Sequence, residues 1–144
     1  MRRILLLGLI GFVFSGCEEK KVTEDMLVGE WICDINYQVA KWKNGVFQDY
    51  APQDGYAELF VKYLKKDDNL FVEYTDGDGE IKQDFNEMNG RFESFIGNMK
   101  IVGSRKLEYI SDNEYQLIIE STRTYNKSED NEKIKILTHC TRIK

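Results

Sequence analysis

The stretch "LVGEWICDINYQV", residues 27–39, decides the fold. Trp31, Cys33, Ile35, Tyr37 and Val39 fall at every second position, with Asp34, Asn36 and Gln38 between them. Side chains two residues apart leave a strand on the same side, so the stretch reads as a strand with one packed face. An amphipathic helix would instead repeat its apolar residues at three and four. The pattern predicts a first strand over about 30–42.

The same alternation recurs at the other end of the chain. Ile134, Ile136, Thr138 and Cys140 share one face of a predicted strand over 132–143, and Tyr115, Leu117 and Ile119 one face of a strand over 114–125. Further aromatic and β-branched runs predict strands at 46–50, 56–65, 69–75, 80–86, 91–96 and 105–111. Turn signals separate them: Asn44-Gly45, Asp54-Gly55, Asp76-Gly77-Asp78-Gly79, Asn89-Gly90 and Asp112-Asn113. A short helix is expected around 22–28. Hairpins in sequence predict an all-β fold, an antiparallel up-and-down barrel of about eight strands, which closes off its sheet edges. A β-sandwich is the alternative. The predicted inward set is Trp31, Tyr37, Leu59, Tyr63, Tyr74, Tyr115 and Ile136. "LFVKY" at 59–63 recurs as "LFVEY" at 70–74. A hairpin there puts Leu, Val and Tyr of each copy on one face and Phe60 and Phe71 on the other.

Before this region lie Arg2 and Arg3, an apolar run from Ile4 to Phe14, and then Ser15, Gly16 and Cys17. A positive end, a short apolar core and small residues at a cut site make a secretory signal; the run is shorter than the ~20 residues a spanning helix needs. Phe14-Ser15-Gly16-Cys17 resembles the cleavage box of bacterial lipoproteins, with Phe in place of the usual Leu. The resemblance implies cleavage before Cys17 and several acyl chains, palmitate among them, on that residue; stable anchoring takes more than one chain. The expected layout is a cleaved signal at 1–16, a lipidated anchor and tether at 17–26 and a barrel domain at 27–144. The resemblance also implies the cell envelope; in enterobacterial lipoproteins an Asp after the cysteine favours inner-membrane retention, so Glu18 implies, in a Gram-negative host, the periplasmic leaflet of the outer membrane.

Cleavage leaves about 128 residues, the size of one domain. The formal charge of −5 becomes more negative as the two arginines leave. An acidic domain is poorly suited to nucleic acid or to lying flat on anionic lipid.

An exported domain sits where disulfides persist. Cys33 and Cys140 both fall on apolar faces, and the first and last strands of a closed meander are neighbours, so a disulfide between them is expected; two separate buried thiols are the alternative. A metal site with His139 is not expected, because His139 and Cys140 point to opposite faces.

Gly29-x-Trp31 at the head of the first strand resembles the lipocalin and lipocalin-like families. There the Trp plugs one end of the barrel and an Arg of the last strand often packs on it, a place that Arg142 matches. The resemblance implies a small apolar ligand inside the barrel.

Other motifs carry less. Aligning "DGDGE" at 76–80 with a calcium-binding loop puts Tyr74 and Phe85 where acidic ligands belong; it reads as a turn. His139, the only histidine, has no nucleophile motif near it. No enzyme, metal or cofactor is expected. Phe60 and Phe71 are the candidate partner-binding residues. The expected function is a lipid-anchored envelope lipoprotein that binds a protein partner, as an inhibitor, immunity or assembly accessory; the alternative is a lipocalin-like carrier of a small apolar ligand.

Overall fold

In the computed structural model, which describes residues 19–53, 57–75, 77 and 79–144, the alternating stretch forms β1 (Gly29–Lys43). Asn44 and Gly45, both with positive φ, turn the chain into two short pieces, β2 (Val46–Phe47) and β3 (Ala51–Pro52). Then follow β4 (Ala57–Lys66), β5 (Asn69–Tyr74), β6 (Glu80–Gln83), a 3-10 turn (Phe85–Met88), β7 (Gly90–Ile96), β8 (Met99–Ser111), β9 (Glu114–Thr124) and β10 (Glu132–Arg142). Only one short α-helix is described, α1 (Glu24–Leu27).

All pairings are antiparallel, in the order β6-β5-β4-β1-β10-β9-β8-β7, with β2 and β3 beside β1. This is the cyclic order of an up-and-down meander: the first and last strands lie side by side, β1 reaches β4 through the two short pieces, and the remaining pairs are hairpins. One seam is open. Among the described residues β6 and β7 form no ladder with each other, and the 3-10 turn stands between them in the chain. The fold is thus all-β and barrel-like, an eight-strand sheet curled around one core.

Register assigns the faces. Trp31 lies opposite Val61 on β4 and Arg142 on β10; Cys33 lies opposite Leu59 and Cys140. Cys140 in turn faces Tyr115 on β9. The side of β1 that carries Trp31 therefore gathers large residues from every neighbour. Trp31, Leu27, Leu70, Val72, Tyr115 and the two cysteines are almost wholly buried, and Met88 from the 3-10 turn joins them. Tyr37 and Ile136, directly opposite each other, are half-buried on the same face beyond the core.

Cys33 and Cys140 are disulfide-bonded, with Cα atoms 4.1 Å apart. That spacing belongs to the closer, non-hydrogen-bonded kind of antiparallel pair. The bond links strands 107 residues apart in sequence.

The helix begins at Thr23, whose hydroxyl accepts from the Met26 backbone N–H at 3.2 Å, an N-cap. Leu27 and Val22 are buried in the core, so the packed body reaches back into the stretch read as tether. β8 starts at Met99, earlier than the predicted 105. Gly103 is no break: a Cβ there would come within 2.7 Å of the Phe92 ring. Glycine in mid-strand lets that ring lie across the backbone.

Candidate functional site

Two features stand out on the folded part, a clamp built on Trp31 and a groove beside it. In the clamp, the Arg142 guanidinium lies 4.2 Å from the centre of the Trp31 ring, an attractive cation–π distance. It also donates to the carbonyls of Val28 at 2.9 Å and Met26 at 2.5 Å. The Trp31 indole N–H donates to the Leu27 carbonyl at 2.7 Å, so both polar edges of the pair hold α1 and its exit. Gly29 has φ 137°, and a Cβ on it would sit 2.6 Å from an Arg142 nitrogen; only glycine gives both the conformation and the room. This is the packing that the Gly29-x-Trp31 resemblance implied for Arg142.

Behind the clamp the interior is occupied by side chains. The Trp31 and Tyr115 rings meet edge to face at 4.8 Å. The Tyr115 hydroxyl donates to that of Tyr63 at 3.4 Å, spanning from β9 to β4. Burial pushes the Tyr63 phenol up to about 12 and raises that of Tyr115 further, with Tyr63 adding to the effect. Both hydroxyls are neutral donors and acceptors there, and neither is suited to act as a base near neutral pH.

The groove opens beside the end of β5, lined by Phe60, Lys62 and Ile143 of the outer face together with Trp31, Val61 and Tyr74 of the inner one, with a volume of about 350 Å³. Phe60, 45% exposed, stands opposite Ile32 of β1. Ile143, equally exposed, follows where its N–H donates to the Glu30 carbonyl at 2.8 Å. Beside this apolar strip runs a charged row, since Lys62 is in register with Glu30 on one side and Glu73 on the other. An apolar strip with a polar margin is the usual make-up of a protein-binding surface.

Phe71 shares this face but not the groove. It stands opposite Leu64, four positions along β4 from Phe60, or roughly 13 Å at the rise of a strand. Lys66 covers its ring, with the ammonium 5.9 Å from the centre. The strip around Phe60 is completed by Ile32 and Ile143, which the sequence reading did not single out. Alternation could have found Ile32, an outward apolar residue near the start of β1. His139 also faces outward, 3.1 Å from a Glu114 carboxylate.

Cys17, the expected lipid site, lies outside the described residues, as do Asp54, Gly55, Asp76 and Asp78 of the expected turns. Among the described residues no helix is long and apolar enough to cross a membrane. Neither a protein-family model nor a curated protein matches the sequence.

Proposed function

We propose that this protein is a lipid-anchored lipoprotein of the bacterial cell envelope, held to the membrane through Cys17, that binds a protein partner and catalyses nothing. The observation that carries this reading is the contrast between the two faces of β1. Its inward side is packed with Trp31, Tyr115, Tyr63 and the disulfide, which leaves the covered end filled. Beside its outward side the exposed side chains of Phe60 and Ile143 line a groove. An eight-strand barrel is either filled by side chains or hollow around one ligand, and the packed side chains favour the first. A surface strip of this kind is a partner site of the inhibitor, immunity or accessory type.

A second reading has one observation in its favour. The Gly29–Trp31–Arg142 clamp matches the lipocalin-like arrangement, and a lipocalin-like protein would carry a small apolar ligand.

A photo-activated cross-linking amino acid at position 60, in cells of the source bacterium, tests the first reading. It should give a discrete protein adduct that is missing when the probe sits at Lys127, an exposed loop residue. The Phe60→Ser, Ile143→Ser variant should keep the melting temperature within a few degrees, since exposed substitutions usually cost within about 0.5 kcal/mol. Equal labelling at positions 60 and 127 would contradict the proposal.

A further inference from the structure

β7 is the edge of the sheet on one side of the open seam. Among the described residues no backbone hydrogen bond reaches its free side. Arg91, Glu93, Ser94, Phe95 and Ile96 are all exposed, Phe95 at 67% and Ile96 at 61%. An uncovered edge is a template for another strand, and charged side chains are a common guard against unwanted pairing; β7 carries one of each sign, Arg91 and Glu93.

The backbone fixes which residues can pair there. β7 and β8 are joined by Gly97 and Asn98, with Gly97 at φ 58°, as a type II′ hairpin requires of its first turn residue. Such a turn closes on a hydrogen-bonded pair, here Ile96 with Met99. Antiparallel pairs then alternate. Ser94 and Phe92 turn their backbone groups toward β8, and Phe95, Glu93 and Arg91 turn theirs outward. A strand arriving antiparallel must set its own outward residues opposite these three.

When the arriving strand is a second β7, one register places Phe92 opposite Phe92 on the two-fold axis. Arg91 of each copy then faces Glu93 of the other. The outward backbone groups meet, giving about four inter-strand hydrogen bonds from the two Arg91–Glu93 pairs. Opposite charges fall side by side on one face, a favourable cross-strand pair; on the other, each Phe92 ring stays with its own chain, over Gly103 and 4.3 Å from the Arg105 guanidinium. Shifting the register by two residues along one strand would put Glu93 against Glu93, which is unfavourable. Arg91 has no ion pair within the chain among the described residues, and Glu93 reaches only Lys100, at 3.2 Å. From this self-complementarity we infer that β7 is a homodimer edge, where two copies join antiparallel about Phe92.

The test is a charge swap read by sedimentation velocity of the full chain, in mild detergent with micelles in excess over protein, at up to about 1 mM. The wild type should show a concentration-dependent dimer. Arg91→Glu, which sets Glu against Glu93, and Glu93→Arg, which sets Arg against Arg91, should each shift it at least tenfold toward monomer. The double variant R91E/E93R restores opposite charges in the same register and should restore the dimer. Both side chains are exposed, and an unchanged thermal melt would verify that the fold is intact. A wild type that stays monomeric at the highest concentration would overturn the inference. So would a dimer indifferent to the single changes, or one that the double variant does not rescue.

Discussion

Replacing both bonded cysteines, Cys33→Ala with Cys140→Ala, should lower stability by an amount set by the loop they close. The separation is 107 residues, and the chain-entropy relation gives about 4.8 kcal/mol at 25 °C for a loop of that length. Unfolding entropy near the midpoint is about 2.1 cal/mol/K per residue, or roughly 0.25 kcal/mol/K for a domain of about 120 residues. The melting temperature should then fall by up to ~19 °C. Two features act on this figure in opposite directions. Residual structure in the unfolded chain lowers the entropic benefit, while removing two buried sulfurs leaves a small void that adds to the loss. A fall of about 10–20 °C is expected, measured by circular dichroism on the same preparation as the wild type. Reductant is a poor substitute for mutation. Both cysteines are about 1% exposed, so a thiolate reaches the bond only when the strands open, and reduction of native protein should be slow and follow the unfolding rate. A fall of less than about 3 °C would refute the view that this bond, and not packing alone, holds β1 to β10.

At alkaline pH the buried phenols should destabilise the fold. Tyr63 titrates near 10 when unfolded and at about 12 when folded, so the native state keeps its proton where the unfolded state has lost it. Stability is full below pH 10 and falls as pH rises toward 12, by about 1.4 kcal/mol per pH unit for each such group. Tyr63→Phe should flatten the decline between pH 10 and 11.5, and a decline of unchanged slope would contradict the assignment. Gly29→Ala should cost about 2–3 kcal/mol, combining a positive φ with displacement of the Arg142 guanidinium from Trp31. Denaturant titration measures it, and a cost under 0.5 kcal/mol would mean the clamp yields freely.

The strands were legible because alternation is local. Trp31, Cys33 and Tyr37 announce a face with no knowledge of their partners, and the hairpin between 59–63 and 70–74 follows from the repeated segment alone. The cysteine pairing was legible for a related reason: a meander makes its end strands neighbours, whatever lies between. What alternation does not carry is register. It put Phe60 and Phe71 on one face, which is right, but could not say that four positions part them or that Ile143 arrives beside Phe60 from the far end of the chain. The open seam was hidden too. Residues 80–86 read as one strand, yet pairing stops at Gln83 and the next residues wind into a 3-10 turn that buries Met88. Asp84 caps that turn, accepting from the Asn86 N–H at 2.9 Å, a local competition with the ladder that apolar spacing does not record.

Native mass spectrometry of the protein released from its own membrane tests the central claim most directly, that a barrel filled by its own side chains hangs from a lipid on Cys17 and works through its outer face. The predicted result is one mass, the chain from Cys17 onward plus its covalent acyl groups, with nothing apolar held in addition. A fatty acid or similar molecule retained one-to-one, or a chain still carrying residues 1–16 and no lipid, would contradict it.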